Sequence, residues 1–199
     1  MLSYAYIMKR TFLFALLLLI SFFGIKAQVV NIEIKTELGS IMAELYPDKA
    51  PITVANFIKY IENHKFDSAS FYRTVRMDNQ PNNEVKIEVI QGGISYNRSV
   101  TSYPPIEHET TDKTGILHKD GILSMARVGP GTATAEFFIC IGDQPSLDFG
   151  GKRNPDGQGF ATFGKVTKGI DIVKKIQQRE GKNQYLVEKV KIYSISILK

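Results

Sequence analysis

The sequence predicts one mainly β domain of about eight short strands and two helices, set behind an apolar leader. Three observations carry this. Short runs that are apolar throughout or alternate apolar with polar recur at strand length, bounded by Gly, Pro, Asn and Asp. Only two later segments show helical spacing over more than one turn. No internal repeat and no low-complexity linker divides the 199 residues, a length that suits one domain with a sizeable core. Strand count alone fits a barrel and a sandwich equally.

The leader is residues 1–27. Lys9 and Arg10 precede the apolar run Thr11 to Ile25, and the segment closes on small residues ending at Ala27. A basic start, an apolar centre of this length and a small residue at the end describe a secretory signal peptide. A transmembrane anchor needs about 20 apolar residues, which this run does not reach. The expected division is therefore 1–27 signal peptide and 28–199 mature domain, exported to a periplasm or secreted, with no stable membrane insertion once the leader is removed. Residues 1–27 hold three bases and no acid, so the formal charge falls from +5 to +2 without them. What remains has no basic block, and no nucleic-acid partner is expected.

Along the mature chain, Val29 to Lys35 alternates as a half-buried strand, Gly39 marks a turn, and Ile41 to Tyr46 returns as a second strand. Pro51 sits at a helix start. Ile52, Ala55, Phe57, Ile58 and Ile61 follow at helical spacing and are expected to face the core. Ser70 to Arg76 and Val85 to Gln91 are the third and fourth strands, joined by the turn-rich MDNQPNNE. Residues 94–114 and 143–159 read as long loops. Gly121 to Ala126 and Glu136 to Ile141 are strands around a wide loop that holds Gly129, Pro130 and Gly131. Phe160 to Val166 is a further strand, Gly169 to Gln178 the second helix, and Val187 to Ile197 a long closing strand. Cys140, the only cysteine, falls inside an apolar strand and is expected as a core thiol with no intramolecular disulfide.

The central stretch GILSMARVGPGTATAEFFICIG, from Gly121 to Gly142, closely resembles the core signature of the cyclophilins, which are peptidyl-prolyl cis-trans isomerases. FYR at Phe71 to Arg73, QGG at Gln91 to Gly93 and FGKV at Phe163 to Val166 extend the resemblance in the family's order, from about Val29 to the end. The connection between the arginine and QGG is about ten residues longer than the family pattern, which a surface loop tolerates. The resemblance implies an eight-stranded antiparallel β-barrel capped by two α-helices. It also implies a monomer acting on proline-containing unfolded or extended polypeptides, without cofactor or metal.

The chemistry asks for little. The planar peptide bond resists rotation by about 18–20 kcal/mol, and X-Pro bonds exchange over tens to hundreds of seconds. A catalyst needs an apolar pocket for the proline ring and a donor aimed at the prolyl nitrogen, whose lone pair is freed as the bond twists. Arg73 matches the arginine given this role in the family, and its guanidinium stays charged. Gln91 matches the glutamine that contacts the peptide backbone and positions the arginine. Phe138 matches the pocket floor; Val89, Phe160 and Leu147 match walls; Ala126 and Arg127 match a rim strand that pairs with an extended peptide.

Four positions depart from the family pattern. Glu136 stands where a glutamine is usual, Ser146 where the best-known members have tryptophan, Phe160 in place of a histidine, and Glu88 where phenylalanine is common. Glu136 is counted with the substrate-binding set and is expected to pair with Arg73, either orienting its guanidinium or competing for its donors. These departures motivate a rival reading, a non-catalytic chaperone or adaptor that holds proline-containing peptides on the same fold. A third reading, a structural surface β-domain, would neither bind nor catalyse. The histidines, His64, His108 and His118, are too scattered for a metal motif and read as surface or structural residues. Asn97-Arg98-Ser99 is a glycosylation sequon without implication in a bacterial host.

Overall fold

The structure is a computed structural model that describes residues 29–95 and 100–198. The leader and the Asn97 sequon lie outside the described residues.

Eight strands close into an antiparallel barrel. They are β1 (Val30–Thr36), β2 (Gly39–Leu45), β3 (Ser70–Val75), β4 (Val89–Gly93), β5 (Ile122–Met125), β6 (Phe137–Cys140), β7 (Thr162–Lys168) and, after a two-residue strand β8 (Gly181–Lys182), β9 (Tyr185–Ile197). The order around the sheet is β1-β2-β7-β5-β6-β4-β3-β9, and β9 returns to β1, so no long edge is left open. β8 is a flap hydrogen-bonded to β9 alone.

Alternation fixes the register. In the first hairpin Ile32, Ile34, Ile41, Ala43 and Leu45 all point inward, with Ile34 opposite Ile41 and Ile32 opposite Ala43. A one-residue slip would turn this apolar set outward, so the pairing is strongly specified. In β6, Phe137 and Ile139 enter the barrel core, while Phe138 and Cys140 join a second, smaller cluster on the opposite face with Val75, Ile87, Val89 and Leu147. That second cluster is the base of the site described below.

Helix α1 (Pro51–Glu62) and helix α3 (Ile170–Gln177) pack against the barrel and extend its core; α2 (Thr111–Thr114) is a single turn within the first long loop. Phe57 of α1 meets Phe137 edge-on at 5.3 Å and Phe163 at 4.9 Å. Truncating such a ring to alanine costs about 3–5 kcal/mol. The face of α1 differs from the expected one. Thr53, Val54, Asn56, Phe57, Tyr60 and Ile61 are buried, whereas Ile52 and Ala55 are exposed. Tertiary partners allow polar residues onto that face: Asn56 donates to the Thr134 carbonyl (2.7 Å), and, where Ala50 provides no side-chain cap, the Glu109 carboxylate accepts from the backbone N–H of Ile52 (3.1 Å) and Thr53 (2.7 Å) and from the Thr53 hydroxyl (2.6 Å). A carboxylate there satisfies orphan donors and suits the helix dipole.

Two strand limits also shift. β4 begins at Val89 rather than Val85, because Gln80 takes the place of a neighbouring strand: its amide donates to the Ile87 carbonyl (2.7 Å) and accepts from the Ile87 N–H (3.2 Å). Phe160 lies outside β7, on a loop end held by its N–H to the Leu147 carbonyl.

Candidate active site

β6 lies between β5 and β4, and β3 flanks β4. Across the outer face of these strands sits a cavity of about 250 Å³. Arg73, Val89, Gln91, Ala126, Arg127, Phe138, Leu147 and Phe160 all line it, so eight of the nine residues singled out from the sequence converge on one hollow. Ile87, Arg153 and Asn154 complete the lining and were not singled out.

The floor is aromatic and fixed. Phe138 stacks on the buried His118 ring at 5.9 Å and meets Phe160 edge-on at 5.3 Å. His118 is held by Asp148 (2.7 Å) and Ser124 (3.0 Å), so it is structural, and burial pushes its pKa down. Arg127 packs over Phe160 at 5.1 Å and forms two hydrogen bonds to the Asp156 carboxylate, 2.8 and 2.9 Å. That contact holds Asp156 at about 2, well below an ordinary aspartate. The Ala126 N–H donates to the Glu136 carbonyl at 2.8 Å, so this rim amide is already committed within the sheet.

Arg73 is held on two sides. Its Nη1 donates to Gln91 Oε1 at 2.7 Å; its Nε and Nη2 both donate to Gln184 Oε1, at 3.1 and 2.5 Å. A guanidinium has five N–H donors, so two remain uncommitted by these bonds. Both holders are neutral amides. They orient the group without neutralising it, although burial pulls its pKa below the usual arginine value.

The expected Arg73–Glu136 pair does not form. Glu136 is absent from the cavity lining; its carboxylate accepts from the Tyr72 hydroxyl (2.5 Å) and from the N–H groups of Ile94 and Ser95 (2.9 Å each). It stands behind the lining, and its link to Arg73 runs through two other side chains. The Tyr72 hydroxyl donates to Glu136, the Gln91 NH₂ donates to the Tyr72 oxygen (2.8 Å), and the amide oxygen of Gln91 is thereby turned to Arg73. Burial raises the Glu136 pKa, and burial with the Glu136 charge raises that of Tyr72, which keeps the phenol a donor. The two glycines after Gln91 make the approach possible. A Cβ on Gly92 would lie 2.8 Å from the Phe71 ring and the Ser70 carbonyl, and one on Gly93 2.6 Å from the Glu136 carboxylate.

Gln184 was missed for a physical reason. It lies 111 residues from Arg73 and occupies the two-residue turn between β8 and β9, where Asn183 and Gln184 have φ of 51° and 70°. Left-handed turns of this kind favour Asn and Gly, so Asn183 was the available signal. The side-chain NH₂ of Gln184 donates to the Asn79 carbonyl (3.2 Å), and its own carbonyl accepts from the Thr74 N–H (2.8 Å). Glu88 faces away from the cavity toward Gln177 (3.2 Å), and Ile87, two residues before Val89, supplies the wall instead.

Comparison with known proteins gives the same family throughout. The family model for cyclophilin type peptidyl-prolyl cis-trans isomerase/CLD matches residues 29–197. A peptidyl-prolyl cis-trans isomerase of Acinetobacter baylyi is 36% identical over 147 residues, 73% of this chain and 70% of that protein. Peptidyl-prolyl cis-trans isomerase cyp18 of Streptomyces antibioticus is 32% identical over 176 residues, 84% of this chain and 98% of that protein. Peptidyl-prolyl cis-trans isomerase B of Escherichia coli is 32% identical, with 71% and 80% covered. Among solved structures, a cyclophilin type peptidyl-prolyl cis-trans isomerase of Cryptosporidium parvum superposes with a TM-score of 0.70 over 86% of this chain and 99% of that one. At 20% identity that likeness speaks for the fold.

Proposed function

The chain belongs to the cyclophilin-type peptidyl-prolyl cis-trans isomerases, and we propose that its isomerase activity is carried by Arg73 acting above the Phe138 floor. The observation that supports this is a guanidinium held by two neutral amides at the edge of a hollow with an apolar floor. The proline ring sits on Phe138 between Val89, Leu147 and Phe160. As the bond twists, resonance is lost and the prolyl nitrogen regains a lone pair that can accept a hydrogen bond. A remaining N–H of Arg73 donates to it. Because the planar ground states lack that lone pair, the bond favours the transition state over both isomers. One donor so placed is worth about 10²–10³ in rate. Gln91, Gln184, Tyr72 and Glu136 act as positioning residues, setting the direction of the guanidinium without touching the reacting bond.

Exchange NMR on a short Ala-Pro peptide tests the assignment. The parent accelerates cis-trans exchange, and Arg73→Ala with an unchanged melting temperature loses most of the acceleration. A folded Arg73→Ala protein of undiminished activity would place the chemistry elsewhere.

We further infer from the sequence pattern of residues 1–27 that the enzyme is exported to a periplasm or secreted and acts on exported polypeptides as they fold. Cell fractionation and sequencing of the mature N-terminus test this; a chain that keeps its leader in the cytoplasm would refute it.

A further inference from the structure

We propose that this cavity prefers prolyl segments in which an acidic side chain directly follows the proline, with Arg153 as the group that receives the carboxylate. The proposal rests on the assignment of prolyl isomerisation to this cavity.

Three arginines line the hollow, and they are not equivalent. Arg127 is matched by Asp156 through a two-pronged ion pair. Arg73 and Arg153 form no ion pair with any described residue. Both line the same cavity, and burial, with the charge of Arg73 as a lesser cause, disfavours the charge of Arg153. The hollow therefore carries two cations with no ion-pair partner among the described residues, and an anion placed between them relieves their repulsion.

Arg153 is placed firmly. Its backbone N–H donates to the Ser146 carbonyl (3.1 Å), and its Nη1 to the Val85 carbonyl (2.5 Å), tying the 143–159 loop to the 76–88 loop. The loop that carries it is closed on itself by Gly150 N–H to Gly157 carbonyl (2.7 Å) and Gly151 N–H to Asp148 carbonyl (2.8 Å). Only one of the guanidinium's five donors is spent in these contacts.

The sheet order sets the direction. Phe138 on β6 has β5 on one side and β4 on the other. Ala126 and Arg127 follow the end of β5, whereas Ile87 precedes the start of β4, so the Arg127 and Arg153 corners lie diagonally across the floor. A segment whose residues before proline run along the Ala126–Arg127 rim places the next residue after proline at Arg153. The rim end is already neutral; the far end is cationic.

The test measures catalysed exchange and binding by NMR for a matched peptide set: Ala-Pro-Glu, Ala-Pro-Gln, Ala-Pro-Lys and Glu-Pro-Ala, each blocked at both ends. The expected ratio of kcat/KM for Ala-Pro-Glu over Ala-Pro-Gln is about fivefold at low salt, the effect of a partly exposed ion pair. Ala-Pro-Lys falls below both, and high salt shrinks the spread. Arg153→Gln brings the Glu/Gln ratio to about one whatever its absolute rate, Arg153→Lys restores part of it, and Arg153→Glu inverts it toward the lysine peptide. Equal handling of Glu and Gln by an active parent, a ratio that survives Arg153→Gln, or a preference for Glu-Pro-Ala instead would overturn the proposal. Tighter binding of Ala-Pro-Glu, lost in Arg153→Gln, with no catalysed exchange of any peptide would refute the isomerase assignment to this cavity while upholding the anion site.

Discussion

Gln184→Gly isolates the positioning of Arg73 from the fold. Gln184 Oε1 accepts from both Nε and Nη2 of Arg73, and no other described residue does this. A hydrogen bond to a charged group is worth about 1.5–3 kcal/mol. The guanidinium stands at the edge of a solvent-accessible hollow, so water replaces part of what is lost, and the lower figure applies. A misaimed donor then costs about 1.4 kcal/mol at the transition state, or about tenfold in rate. Stability falls modestly. The substitution relieves a non-glycine residue at φ 70°, worth about 1–2 kcal/mol. Against this it frees the unfolded backbone and loses the bond to Asn79, each about 1 kcal/mol, and it loses the bonds to the Arg73 guanidinium, about 1.5 kcal/mol, for a net loss of about 2 kcal/mol. The backbone bond from Thr74 N–H to the carbonyl of residue 184 remains. Exchange NMR across a peptide concentration series separates kcat from KM. The expected result is a roughly tenfold fall in kcat with KM nearly unchanged and a melting temperature within about 8 °C of the parent. Unchanged kcat in a folded variant would refute the claim that the turn aims Arg73.

Two further outcomes follow from the same network. Tyr72→Phe removes the hydroxyl between Glu136 and Gln91, leaving a buried carboxylate short of a donor and the Gln91 amide free to turn; urea unfolding should show a loss of about 2 kcal/mol, accompanied by a lower kcat. Burial depresses the pKa of His118 below its ordinary 6.5, so the native state takes up its proton later than the unfolded chain. That contribution is complete above pH 6.5 and is lost as pH falls toward the folded pKa, with a slope approaching about 1.4 kcal/mol per pH unit. His108, lowered chiefly by burial, adds to the same slope. Denaturant titrations at several pH values should show the slope in the parent and a shallower one in His118→Gln.

Local chemistry made most of the barrel legible. The alternation in Val30–Thr36 and Gly39–Leu45 and the double-faced apolar run Phe137–Cys140 mark strands because burial imposes a period of two or none. Closure of β9 onto β1 was not legible from strand count, since a sandwich uses the same strands; the barrel came from the family resemblance. The α1 face was misread because two of its polar residues are buried against distant partners, Thr53 on Glu109 and Asn56 on the Thr134 carbonyl. The site was readable as a set because its residues sit in compact motifs on adjacent strands. The partners that aim Arg73 were not. Gln184 reaches it from another strand's turn, and the Glu136–Tyr72–Gln91 relay depends on rotamers that spacing does not encode. The expected Glu136–Arg73 pair failed for that reason, since opposite charges near one another in a motif need not share a face.

The most direct test of the donor role of Arg73 is the exchange rate of enzyme-bound peptide. NMR line-shape analysis at saturating Ala-Pro peptide yields that rate together with Kd, for the parent and for Arg73→Ala. The account predicts a bound-state exchange about 10²-fold slower in the variant, with Kd changed only a few-fold. Bound-state exchange at the parental rate, with the whole loss appearing in Kd, would contradict it and make Arg73 a binding residue alone.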